Sequence, residues 1–172
     1  MKKTALFIAT LFAFFATSCK KEVYKTEFEA SLQTWQTFKA SADNSYVYST
    51  KAPNWIDDST RITITNGKVT NRDYYKFDYE PSQNGTLRPN KITVLKWKET
   101  TANLGSHKEG FDAYTMDQVY DRAKNYWLPV DSKKYNIRFE TNNAGIISWV
   151  GHELKTIADG FDGIYITSIT KL

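Results

Sequence analysis

Few side chains in this sequence are of the types that carry chemistry, and the two histidines are the first to consider. His107 is followed by Glu109 and Asp112, so an imidazole and two carboxylates lie close together in sequence. Zinc requires three or four rigidly held ligands, whereas this polar stretch is typical of a solvated loop. His152 has no second histidine four residues away, and we place it at the end or edge of a strand. The sequence therefore predicts no metal site.

The remaining candidates for chemistry are acidic residues and nucleophile motifs. Asp159 and Asp162 alternate with glycines, but the ligands and closing glutamate of a calcium loop are missing, and the segment predicts a turn. The sequence contains no Gly-x-Ser-x-Gly elbow, phosphate-binding loop or Gly-x-Gly-x-x-Gly. Carboxylate pairs of glycoside hydrolases can be distant in sequence, so a hydrolase with an unrecognised carboxylate site stays an alternative. We expect no cofactor.

The amino terminus has the charge and hydropathy pattern of an export signal. Lys2 and Lys3 precede an apolar run over residues 5–16, and small residues lead to Cys19, the only cysteine. The basic, apolar and small-residue regions follow the order of a secretory signal peptide. A run of about a dozen residues is too short for a spanning helix, which needs roughly 20. The pattern predicts a signal peptide over residues 1–18.

The residues before the cysteine identify the kind of signal. Ala16, Thr17, Ser18 and Cys19 resemble the lipobox of bacterial lipoproteins, with Ala16 where Leu, Val or Ile is commonest. The resemblance implies cleavage between Ser18 and Cys19, and diacylglycerol and palmitate-type acyl groups on Cys19. Acyl burial contributes roughly 0.8 kcal/mol per methylene, so several chains anchor a protein firmly. Lys20, where an aspartate would mark inner-membrane retention, implies the outer membrane of a Gram-negative envelope, with the periplasmic or surface side left open.

Composition limits what the exported part can be. Removal of residues 1–18 leaves 154 residues, which we divide into a short tether over 19–26 and one domain over 27–172. This mature chain has 21 basic and 19 acidic residues. So small a net charge gives no basic stripe for nucleic acid, and we predict no nucleic-acid partner. The predicted partners are the membrane, through the lipid on Cys19, and an envelope protein or glycan.

Hydropathy periods predict an α+β domain. Apolar residues spaced by three and four predict an amphipathic helix over 27–40, and Thr115 predicts the cap of a second helix that ends at Pro129. Asn66-Gly67 predicts a type I′ hairpin turn. Alternating segments predict strands over 45–50, 60–65, 68–79, 91–98, 134–141, 146–151 and 164–171, with loops over 81–89, 99–113 and 159–163.

The element order predicts two layers, with antiparallel β-meanders and both helices on one face of the sheet. The repeated order of helix and meander also allows a degenerate internal duplication. The helix start at 115–119, the strand at 135–139 and the glycine-led last strand resemble small exported lipoprotein domains of unknown function. That resemblance implies an architecture and a cellular address, and it implies no activity.

Surplus aromatic residues give the one indication of a binding surface. Trp97 is out of phase with the other apolar residues of its strand, so that strand is either central or carries an exposed ring. Tyr74 and Trp149 allow the same two interpretations, and core burial is the simpler one for all three. We expect a non-enzymatic envelope module that binds another protein through a sheet face or edge strand. The alternatives are a glycan-binding or small-ligand-binding lipoprotein, and the hydrolase.

Overall fold

A computed structural model describes residues 24–52, 58–79, 91–157 and 160–172. Cys19 and the predicted signal, the loop at 81–89 and Asp159 lie outside these residues. No helix in the described part of the chain has the length and apolar character needed to cross a membrane.

In the described residues, seven antiparallel strands form one sheet in the order β4-β3-β2-β1-β7-β6-β5. With its two helices, the chain belongs to the α+β class that the sequence predicts. The elements are α1 (Lys25–Ser41), β1 (Tyr46–Lys51), β2 (Ser59–Thr65), β3 (Lys68–Tyr79), β4 (Lys91–Thr100), α2 (Met116–Arg122), a π-helical turn (Ala123–Trp127), β5 (Tyr135–Thr141), β6 (Ile147–Leu154) and β7 (Phe161–Lys171).

Most of these elements are the ones that local sequence signals predict. Asn66 and Gly67 have φ values of 51° and 77°, as the turn between β2 and β3 requires. Thr115 accepts a hydrogen bond from the Gln118 backbone, and the Gln118 side chain accepts one from the Thr115 backbone. This capping box begins α2. The helix continues to Trp127, in agreement with the predicted end at Pro129, but its last part is a π-helical turn, which the sequence did not indicate.

Three predictions about strand limits and positions were wrong, and one of the two alternatives for the strand that contains Trp97 is excluded. Glu99 belongs to β4 and is fully buried, whereas we had placed it at the start of a loop. Among the described strands β4 lies at an edge of the sheet, so Trp97 does not mark a central strand there. Residues 161–163 belong to β7 and not to a loop. His152 lies inside β6, which pairs on both sides, and its ring bonds the Trp127 carbonyl.

One apolar cluster joins the helices to one face of the sheet. We call this face the core face; its strand residues include Tyr46, Tyr48, Ile62, Ile64, Val150, Ile164 and Ile166. The Trp35 ring of α1 packs edge-on against Tyr46 at 4.9 Å. The Met116 backbone of α2 donates to the Tyr46 hydroxyl at 2.9 Å. Both helices therefore contact the same central strand.

A buried hydroxyl connects α1, α2 and β6. Tyr120 of α2 lies 2.7 Å from the Ser31 hydroxyl of α1, and the Ile147 backbone N–H donates to the Tyr120 hydroxyl at 3.1 Å. Tyr120 and Ile147 are both buried. Loss of this hydroxyl would leave a buried N–H without its acceptor, which costs about 1–3 kcal/mol.

We therefore expect Tyr120→Phe to lower the free energy of unfolding by about 1–3 kcal/mol, measured by urea denaturation with tryptophan fluorescence. The matched control is Tyr126→Phe, because Tyr126 belongs to the adjoining turn and is 62% exposed. Its change should stay within about 0.5 kcal/mol. Equal losses in the two variants would show that the Tyr120 hydroxyl does not connect the helices to the sheet.

Candidate functional site

Two of the three predicted aromatic binding residues meet on the core face. Tyr74 of β3 and Trp97 of β4 are cross-strand partners, and their rings stack with centroids 5.2 Å apart. The loop between β4 and α2 covers them, because the His107 ring lies parallel to Trp97 at 4.4 Å. Tyr74 is buried and Trp97 is half-buried. The simpler interpretation, burial in the interior, is therefore correct for Tyr74.

The loop over these rings is held by a buried carboxylate that sequence reasoning missed. Glu99 accepts hydrogen bonds from the backbone N–H groups of Gly105 and His107, at 2.8 and 2.7 Å. The Ser106 hydroxyl donates to the same carboxylate at 3.2 Å. The His107 ring nitrogen lies 3.1 Å from it. The loop thus wraps both oxygens of Glu99.

An arginine completes the cluster from the neighbouring strand. Arg72 of β3 pairs with Glu99 at 3.2 Å, and both side chains are almost fully buried. Its other terminal nitrogen donates to the carbonyls of His107 and Glu109, at 3.1 and 2.7 Å. The guanidinium also lies over Trp97, 4.6 Å from the ring centroid. Arg72 thus donates to backbone carbonyls of the loop, and Glu99 accepts from its backbone N–H groups.

The electrostatics of this cluster oppose acid–base catalysis. Burial by itself would raise the pKa of Glu99, but backbone hydrogen bonds from Gly105 and His107 oppose that effect. With the His107 ring and the Arg72 charge, they lower the pKa from 4.5 to about 2. A carboxylate that stays ionised and fully hydrogen-bonded is a weak base. We assign Glu99 a structural role.

Tyr74 is also unsuited to chemistry. Burial, and its hydrogen bond to the Asp58 carboxylate, raise the pKa of Tyr74 far above the usual 10. The phenol therefore stays protonated. In the loop, the His107 ring nitrogen lies 3.1 Å from Glu99, and the Glu109 backbone carbonyl accepts a hydrogen bond from Arg72. No group of three or more metal-ligating side chains occurs among the described residues.

Trp149, the third predicted residue, lies apart from the other two on the opposite face of the sheet. We call this the outer face. One row of cross-strand partners crosses all seven strands on it, with aromatic rings in three of them: Leu95, Tyr75, Ser59, Lys51, Tyr165, Trp149 and Glu140. The alternation of strand side chains also puts Phe77 and Tyr79 on this face.

Arg138 and two glycines form the surroundings of Trp149. The Arg138 guanidinium lies 3.8 Å from the Trp149 ring centroid, and Tyr165 packs at 4.8 Å. Gly151 and Gly163 face each other, and a Cβ on either would lie within 2.7 Å of the Phe161 ring. The Phe161 ring therefore lies directly over the glycine pair, and a side chain at either glycine would clash with it.

A small cleft adjoins this group. Its volume is about 130 Å³, and it is lined by Asn136, Ile137, Arg138, Trp149, Glu153 and Phe161. Small-molecule sites usually enclose roughly 300–1,000 Å³, so this cleft is too small to enclose a typical ligand. Sequence reasoning identified Trp149 but missed its neighbours, because Arg138 and the glycines come from different strands. Only the strand register brings them together.

The chain matches no protein-family model, no curated protein and no solved structure. Its function is therefore inferred from the chemistry of its surfaces.

The low pKa of Glu99 makes stability depend on pH. A carboxyl whose pKa falls from 4.5 to about 2 on folding contributes up to about 3 kcal/mol of stability above pH 4.5. This contribution is lost as the pH falls from 4.5 towards 2. We expect Glu99→Gln to remove it, which would flatten the acid side of the stability profile measured by urea denaturation.

Glu140→Gln is the control, because Glu140 also faces an arginine, Arg138 at 3.2 Å, but both groups are about half exposed. Exposed pairs contribute roughly 0–1 kcal/mol, so this variant should keep the wild-type profile. An unchanged acid profile in the Glu99 variant would contradict the structural role of the carboxylate.

Proposed function

We propose that the chain is an envelope lipoprotein, anchored by lipid on Cys19, that binds another envelope protein through the outer face of its sheet. The observation that carries this proposal is the group of aromatic and apolar side chains on that face. Tyr79 is 59% exposed and Leu95 48% exposed, and Tyr75, Phe77 and Trp149 are half-buried. Aromatic side chains of this kind dominate the energetics of protein interfaces.

The charges on the outer face fit a protein partner. Lys51 lies in the middle of the row of cross-strand partners from Leu95 to Glu140, and its ammonium group is 5.6 Å from the Phe77 ring centroid. Arg138 and Glu140 form an ion pair at the β5 end of the row. Apolar rings interrupted by a few charges are typical of interfaces that form and dissociate between folded proteins.

The face is a better candidate than the edge strands. β4 and β5 each pair with a single neighbour within the described part of the sheet. β4 contains Lys96 and Lys98, and its pairing with β3 is irregular beside Trp97. Lysines and bulges on an edge strand discourage the addition of another strand. Addition of a strand at β4 is therefore disfavoured, whereas the outer face presents its side chains to a partner.

The position of the two helices also favours the outer face as the binding surface. We infer that α1 and α2 form a second layer over the core face, because Trp35 and Met116 both contact Tyr46. Among the described residues, the outer face would then be the side of the sheet that no helix covers. An internal duplication stays a prediction, and the strand after α1 is central whereas the strand after α2 is at an edge.

The cellular address follows from the lipobox resemblance. Cleavage after Ser18 would leave a lipidated Cys19 only five residues before Tyr24, where the described structure begins. Lys20 favours delivery to the outer membrane, and both sides of that membrane stay open.

The test of partner binding compares two exposed tyrosines. We expect crosslinking of the lipidated protein in native membranes, followed by affinity capture, to recover a partner in near-equal amount. Tyr79→Ser on the outer face should reduce this recovery several-fold. Tyr126→Ser should not, because Tyr126 belongs to the helical turn after α2 and is similarly exposed, at 62%.

Cys19→Ala serves as a further control, because loss of the anchor should prevent capture at the membrane without changing the outer face. Equal recovery with the Tyr79 and Tyr126 variants would contradict binding through the outer face. Absence of any captured protein would exclude a stable complex.

The cleft beside Trp149 favours glycan binding as a second candidate. Its Trp149 and Phe161 rings are flanked by Arg138, Asn136 and Glu153. Rings with polar neighbours can stack on a sugar and bond its hydroxyls. The small volume of the cleft fits contact with one edge of a surface glycan.

If this second function is correct, envelope oligosaccharides should change the tryptophan fluorescence of the protein, and Trp149→Phe should abolish most of that change. Trp97→Phe is the matched control, because Trp97 is also half-buried but lies on the core face. An equal response from wild type and both variants would exclude the cleft as the glycan site.

A further inference from the structure

A groove lies between the start of α1 and the segment after α2. Its volume is about 560 Å³, within the range of roughly 300–1,000 Å³ usual for ligand sites. Five of its nine lining residues present apolar or aromatic surface: Tyr24, Phe28, Leu32, Leu128 and Pro129. Neither predicted binding surface includes this groove.

Charged side chains lie along the same groove. Lys25 comes from the first turn of α1 and Lys124 from the π-helical turn, and both are exposed. Glu29 also lines the groove, so the lysines leave a small positive excess. Long basic side chains can bury their methylenes along apolar surface while their charge reaches a polar interface. This combination fits the boundary between acyl chains and headgroups.

The length of the tether limits where this groove can be. Tyr24, on the groove wall, is five residues after Cys19. Five residues span at most about 18 Å when fully extended. A lipid on Cys19 would therefore hold the groove close to the bilayer surface, whichever side of the membrane carries the protein.

We propose that this groove is the membrane-facing side of the domain and receives a phospholipid acyl chain from the leaflet that holds the Cys19 lipid. The inference rests on the proposed lipidation of Cys19. Lys25 and Lys124 lie at the level of the phosphate groups, and Phe28, Leu32 and Leu128 contact the chain. The contact orients the domain and adds to the anchoring provided by the covalent lipid.

The test places a probe in the groove of the full-length lipidated protein. With Cys19 lipidated, Asn125→Cys supplies the only free thiol, on an exposed residue of the groove lining. The thiol is labelled with bimane, and the protein is reconstituted in phosphatidylethanolamine–phosphatidylglycerol vesicles that contain a phospholipid with a nitroxide on its acyl chain. Gln36→Cys is the control, because Gln36 is exposed further along α1, about 16 Å from Lys25 at 1.5 Å per residue.

We expect the nitroxide lipid to quench the groove label at least twofold more than the control label. Equal quenching of the two labels in a protein whose intact mass shows the lipid would overturn the groove assignment and leave the anchor in place. A blue-shifted groove label that the nitroxide lipid does not quench would also overturn it, because another occupant would then fill the groove. An intact mass without lipid would overturn the anchor and this inference together.

Discussion

The arrangement of this protein depends on the burial of one carboxylate. Glu99 lies at the end of β4, where a strand residue on the core face would ordinarily be apolar. Isolated in the interior, its charge would be strongly destabilising, but Arg72 and the loop after β4 surround it with donors. The loop can follow this path only while those bonds hold. The core face at the β3–β4 end is therefore covered by irregular chain instead of a third helix.

Coverage of the core face has a consequence for the opposite side. Helices and the long loop supply burial for Tyr46, Ile62, Tyr74 and their neighbours, whereas the aromatic residues of the outer face are only half-buried or exposed. The sheet has aromatic rings on both faces, and only the rings of the core face are buried within the domain. The rings on the other face provide apolar area that a partner can bury.

The sequence predicted the secondary-structure elements more reliably than it predicted which side chains contact one another. Asn66-Gly67, the Thr115 cap and the stripe of α1 are local signals, and each formed as expected. Glu99 was placed in a loop because a charge beside polar residues looks solvated until its partners are known. Those partners include Arg72, which is 27 residues away. Trp97 was similarly ambiguous, because only the register with Tyr74 assigns it a face.

The same reasoning explains what the candidate sites have in common. Trp149 was identified from the sequence, but Arg138 and the Gly151–Gly163 pair join it through strand pairing. The groove beside α1 combines residues about 100 positions apart, Tyr24 and Asn125. Local patterns contain no information on such distant pairs, and without matching relatives nothing else in the sequence supplies it.

The central claim is that a partner protein occupies the outer face in the envelope, whereas surfaces away from this face and from the groove, such as that around Tyr126, stay accessible. Hydroxyl-radical footprinting of the protein in intact envelopes and after purification tests this directly. Tyr79 and Tyr126 are similarly exposed in the domain itself, so they should react alike in the purified protein. We predict that Tyr79 is several-fold less reactive in intact envelopes than in the purified protein. Tyr126 should keep the reactivity that it has in the purified protein. Equal reactivity of the two tyrosines in intact envelopes would contradict the account.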